Sequence, residues 1–133
     1  MLAAIDWTAL TELLEGRPAV LAAWAFGSSV IGRATPESDL DIGVLFTAPP
    51  SLDEWADLRA DLQEALQIEE IDLVVLNGAS VVLRFEAISG RRLVCRDPEA
   101  VAGFASLTAR EYEDEMAFAA RGLAWSVEQI RKN

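Results

Sequence analysis

The sequence predicts an α/β chain, in stricter terms α+β: a small mixed β-sheet with helices packed against it and a long C-terminal helix. Three observations carry this. Apolar runs of strand length recur, at Val20 to Phe26 and again after Leu40. Between them lie segments whose apolar residues return every third or fourth position, the period of a half-buried helix. Caps and breakers stand at the joints: Asp6, Gly16, Pro49, Ser51, Gly78, Ser80 and Gly90. No internal repeat, low-complexity segment or linker divides residues 1–133, so one domain is expected.

Taken in order, Asp6 caps a first helix over Trp7 to Glu15, with Leu10, Leu13 and Leu14 on its apolar side and Gly16 and Pro18 ending it. Val20 to Phe26 is the first strand and Asp39 to Phe46 the second. Ala48-Pro49-Pro50 breaks the chain. Ser51 with Glu54 three residues on has the form of a capping box. The helix behind it places Leu52, Trp55, Leu58, Leu62 and Leu66 on one face. Glu70 to Leu76 is the third strand, closed by Asn77-Gly78. Ser80 caps a helix over Val81 to Ser89, and Arg91 to Arg96 is the fourth strand. Asp97-Pro98 is expected to open a short turn or helix. Thr108 and Glu111 repeat the capping-box spacing, so the long helix is expected to start there and run to about Ile130. Met116, Ala120, Leu123, Val127 and Ile130 form one stripe of that helix, assigned to the core; Phe118 and Trp125 lie opposite, assigned to a partner or to cover by a loop of the same domain.

Composition narrows the function. The chain carries 22 acidic and 11 basic residues, a formal net charge of −11. Such a chain is repelled by nucleic acid and anionic membranes, so direct binding to either is not expected. The lone cysteine, Cys95, leaves no internal disulfide, which fits a cytoplasmic setting, and its apolar strand makes it a small core residue. There is no histidine, which removes Ser-His and Cys-His catalysis. No apolar stretch reaches 18 residues, so no membrane span or leader is expected.

The chemistry gathers between residues 25 and 45. An apolar strand runs into Gly27-Ser28, a loop with Gly32 and Pro36 follows, and Ser38-Asp39-Leu40-Asp41 opens the next strand. Residues i and i+2 of a strand share a face, so Asp39 and Asp41 project side by side. Two carboxylates held so close repel unless a cation neutralises them, and their hard oxygens suit Mg²⁺. Gly27 lets backbone amides approach an anion and Ser28 adds a hydroxyl. Asp72 interrupts an otherwise apolar strand; if that strand lies beside the Asp39–Asp41 strand, it makes a third carboxylate. Arg33 reads as a solvated loop residue, and Arg84 as either a substrate contact or a surface salt bridge.

Gly27-Ser28, ten residues, then Asp39-x-Asp41 resembles the signature of minimal nucleotidyltransferases of the DNA polymerase β-like superfamily, with Gly32 and Ser38 also in family positions. The resemblance spans most of the chain and implies the same α/β fold. It further implies transfer of a nucleoside monophosphate, AMP from ATP, to a hydroxyl. Asp39 and Asp41 would hold Mg²⁺ against the triphosphate. Gly27 and Ser28 would hold its phosphates. Asp72 would bind a second metal or take the proton of the attacking hydroxyl. Ser38 falls with the nucleotide-binding residues, although a serine there also bonds local backbone.

The acceptor is the open question. Chains of this length resemble the MntA-type antitoxin of a toxin–antitoxin pair, whose implied partner is a helical HEPN-type toxin, HepT, silenced by AMP added to a tyrosine. Superfamily relatives acting on small molecules usually carry an added substrate domain, for which 133 residues leave little room, so transfer to a small molecule is kept as one alternative. A non-catalytic antitoxin that neutralises by contact alone is the alternative of a different class.

Overall fold

The computed structural model describes residues 5–27 and 40–132. Four strands and four helices follow in the order α1 (Trp7–Glu15), β1 (Val20–Phe26), β2 (Leu40–Phe46), α2 (Leu52–Leu66), β3 (Ile71–Val75), α3 (Val81–Ile88), β4 (Arg91–Cys95) and α4 (Pro98–Lys132). The sheet order is β3-β2-β1-β4. β1 is antiparallel to both β2 and β4, and β2 and β3 are parallel, so the sheet is mixed as expected. A parallel pair needs a crossover, and α2 supplies it between β2 and β3.

Helices cover both sheet faces. On one, Leu10 and Leu14 of α1 and Leu58 and Leu62 of α2 close over Ala23, Ala25, Ile42 and Val44. On the other, Trp24, Phe26 and Leu45 meet Ala87 of α3 and Val101 of α4. Strand alternation delivers the two sets. A bulge at Leu21 shifts the register so that Val20 joins the first face and Ala22 the second. Caps fall where the residues predict: Asp6 accepts from the Ala9 amide at 3.0 Å, Ser51 and Glu54 complete their box, and Ser80 accepts from the Leu83 amide at 3.2 Å. Asn77 does more than close a turn. Its amide pairs with both backbone groups of Phe46, at 2.8 and 2.9 Å, as a strand neighbour would. Cys95 is half-buried against the second cluster.

Two expectations for the C-terminal region fail. No second helix starts at Thr108. One helix runs from Pro98 to Lys132, capped by Asp97, whose carboxylate accepts from the Ala100 amide at 3.2 Å. Proline at the first helical position suits that start, and no later proline breaks the run. Thr108 is fully buried inside the helix, its hydroxyl taken by Arg84 Nη1 at 3.4 Å, so the apparent capping box is a coincidence of spacing. The stripe assigned to the core is not in it either. Met116, Leu123, Val127 and Ile130 are exposed, as are Phe118 and Trp125. Among the described residues no helix is long and apolar enough to cross a membrane.

Candidate active site

One end of the sheet collects the C-terminus of β1 and the N-termini of β2, β3 and β4. Asp41 pairs with Phe26 across the antiparallel ladder and with Asp72 across the parallel one. Residues in register on neighbouring strands share a face, so the two aspartates stand side by side, their Cα atoms about 4.8 Å apart. That face carries α3 and α4, because Phe26 and Leu45, which alternate with the same pattern, pack under them. Asp41 is half-buried and Asp72 is exposed at the end of the sheet.

Gly27 completes the group for a reason the sequence concealed. It follows β1 with φ at +86°, a conformation that side-chain-bearing residues rarely adopt. A Cβ built on it would lie 2.2 Å from Asp41 Oδ2. Its missing side chain is therefore the space in which the Asp41 carboxylate sits. Gly90 makes a similar close approach one strand over. A Cβ there would meet the Ala25 carbonyl oxygen at 2.3 Å, so only glycine lets the α3–β4 turn lie against the end of β1.

The structure thus brings together three of the residues singled out from the sequence: Gly27, Asp41 and Asp72. Ser28, Arg33, Ser38 and Asp39 lie outside the described residues. Among the described residues no cluster of three or more metal-ligating side chains forms. The donor set still fits a hard divalent ion. Asp41 and Asp72 offer carboxylate oxygens from adjacent register positions, at a sheet end open to solvent, which matches the one or two protein carboxylates Mg²⁺ takes.

Of the two readings of Arg84, the structure shows the salt bridge. Its guanidinium bonds Glu111 Oε2 at 2.7 Å, Thr108 Oγ1 at 3.4 Å and the Ala79 carbonyl at 3.1 Å. It clamps α4 to α3, with Phe85 and Tyr112 stacked beside it at 3.9 Å.

Sequence reasoning missed the support behind Asp72. Three α2 side chains, Trp55, Arg59 and Gln63, donate to the carbonyls of Leu73, Ile71 and Glu69, at 2.8, 3.0 and 2.7 Å. Their i, i+4, i+8 spacing is visible in the sequence, but it reads as the margin of the apolar face until β3 is laid alongside.

Comparison with known proteins gives the family and the fold. A family model described as polymerase beta, nucleotidyltransferase, matches residues 8–99, from α1 to the start of α4. Curated proteins return no match. Among solved structures, a chain of a mutant MntA toxin–antitoxin is 27% identical, with a TM-score of 0.75 over 91% of this chain and 97% of that one. A toxin–antitoxin with AMP-PNP is 24% identical, also at 0.75, over 90% and 97%. A tri-AMPylated Shewanella oneidensis HEPN toxin in complex with MNT antitoxin matches at 24% and 0.68, over 89% and 92%. Glycine turn, register-paired aspartates, mixed sheet and family model converge: this chain belongs to the polymerase β nucleotidyltransferase family.

Proposed function

We propose that this protein is a Mg²⁺-dependent antitoxin of the MntA type that transfers AMP from ATP to a tyrosine hydroxyl of a HEPN-type toxin, HepT-like, in the cytoplasm, with residues 1–133 acting as one nucleotidyltransferase domain. The observation that carries the transfer step is the juxtaposition of Gly27, Asp41 and Asp72 at one sheet end in a chain of this family. The acceptor and partner rest on the likeness to the MntA toxin–antitoxin and on the tri-AMPylated toxin of the Shewanella oneidensis complex. The net charge of −11 favours a protein acceptor over nucleic acid.

In this reading Gly27, with Ser28 and Ser38, binds the triphosphate through backbone amides and hydroxyls. Asp39 and Asp41 would hold the ion, with Asp72 beside them to help bind a second ion or take a proton; when bound, the ion neutralises charge on the phosphoryl oxygens. The phenol oxygen attacks the α-phosphorus in line, the bond to the β-phosphate oxygen breaks, and pyrophosphate leaves. A phenol with a pKa of about 10 gives up its proton poorly at neutral pH, and the Asp72 carboxylate accepts it. Its place at the solvent-facing end of the sheet lets a protein side chain reach it.

The test incubates the protein with ATP, Mg²⁺ and a HEPN-type partner, read by intact-mass spectrometry. The partner gains the mass of one or more AMP groups, and Asp39→Asn with Asp41→Asn abolishes both the gain and Mg²⁺-dependent ATP binding. Asp72→Ala slows transfer roughly a hundredfold or more while ATP affinity changes little. Neutralisation of the partner without any mass gain refutes the enzyme and leaves the binding antitoxin.

A further inference from the structure

We infer that α2 holds the acceptor-facing carboxylate in place through a side-chain ladder, and that Trp55, Arg59 and Gln63 are positioning residues for Asp72. This rests on the role proposed for Asp72 above.

Among the described residues β3 is the edge of the sheet, five residues long, and pairs with β2 alone. Along a parallel strand, alternate residues turn both backbone groups to the same neighbour. The Leu40 amide donates to the Glu70 carbonyl at 3.0 Å and the Leu76 amide to the Val44 carbonyl at 2.9 Å. Residues 70, 72, 74 and 76 therefore face β2, 71 and 73 turn outward to the open edge, and the Glu69 carbonyl just before the strand, which also accepts from the Ile71 amide at 3.1 Å, joins them there. Those three outward carbonyls are the ones α2 occupies: Glu69 by Gln63 Nε2, Ile71 by Arg59 Nε and Leu73 by Trp55 Nε1.

The match is metrical. Four helical residues rise about 6 Å and two strand residues about 6.6 Å, so donors at i, i+4 and i+8 track acceptors two apart. The helix runs opposite to the strand, with 55 meeting 73 and 63 meeting 69. Asp72 lies between the Ile71 and Leu73 carbonyls. Its own backbone bonds to β2 and its neighbours bond to α2, so the residue is gripped from both sides. Edge strands fray without such cover, and a carboxylate that must meet a phenol within hydrogen-bond reach loses rate with small displacements.

Three single variants test this. Trp55→Phe keeps the ring and removes the donor; Arg59→Met keeps the stem and removes the guanidinium; Arg59→Lys keeps a donor. We expect Trp55→Phe and Arg59→Met each to lower kcat for AMP transfer roughly tenfold at unchanged KM for ATP, and to speed amide exchange at Asp72 and Val74 several-fold. Exchange in β1 stays as in the parent, and Arg59→Lys retains most of the rate. Unchanged kcat and unchanged exchange in both donor-deleting variants would overturn the proposal. So would a faster exchange spread evenly over the sheet, which would mark a merely structural loss. If the parent protein itself transfers no AMP, the proposed function fails, while amide exchange still decides whether α2 holds β3.

Discussion

Along α4 the chain stays helical and keeps supplying apolar side chains, yet its two halves meet different surroundings. From Pro98 to Tyr112 the helix is docked. Val101 is buried in the second cluster, Phe104 stacks on Trp24 with ring centres 6.2 Å apart, Thr108 and Glu111 hold Arg84, and Tyr112 lies on Phe85. From residue 113 onward nearly every side chain faces solvent, with Phe118 72% and Trp125 66% exposed. The cause is length. α3, the helix that α4 packs on, has 8 residues and spans about 12 Å; α4 has 35 and spans about 52 Å. Past Tyr112 nothing in the described fold reaches it. Exposed apolar patches of this kind mark association surfaces, and we propose that this end of α4 docks the HEPN-type partner.

The sharpest way to break this comparison is to empty the exposed half of its aromatics. Phe118→Ala with Trp125→Ala should weaken binding of the HEPN-type partner roughly a thousandfold, since each interface aromatic contributes ~2 kcal/mol. The melting temperature of the isolated protein should not move. A large drop in melting temperature would place both rings in the protein's own core and erase the contrast between the halves.

In the docked half the signs reverse. Phe104→Ala should destabilise the protein by about 2 kcal/mol, because a half-buried ring leaves Trp24 without its stacking partner. Thermal unfolding would show a fall of several degrees, with partner affinity of the folded protein unchanged. A smaller effect is expected at the clamp. Arg84→Met removes donors from Glu111, Thr108 and the Ala79 carbonyl, a loss of about 1 kcal/mol. Urea unfolding measures it, and the loss should largely vanish in a background carrying Glu111→Gln and Thr108→Val. If it persists at full size there, Arg84 acts through contacts other than α4.

The elements were legible in the sequence because their signals are local. Asp6, Ser51 with Glu54, and Ser80 cap helices from within one turn, and strand alternation sorts Ile42 and Val44 from Leu45 without reference to the rest of the chain. Thr108 shows the limit of such signals. The same Thr-x-x-Glu spacing that starts a helix in free chain is harmless inside one when an arginine from another helix claims both side chains.

What the sequence determined by itself was the set of chemical groups: a glycine turn, carboxylates two apart, a third aspartate in an apolar strand, a single cysteine and no histidine. What only the tertiary structure decided was which of these meet. The parallel register that sets Asp72 against Asp41, the space at Gly27 that admits the Asp41 carboxylate, and the α2 ladder on β3 join residues far apart in the chain. The same holds for the bare end of α4. Its apolar stripes are written in the sequence, but whether they are covered depends on how far a neighbouring helix extends, and hydrophobic pattern records the preference of a face rather than the presence of a partner for it.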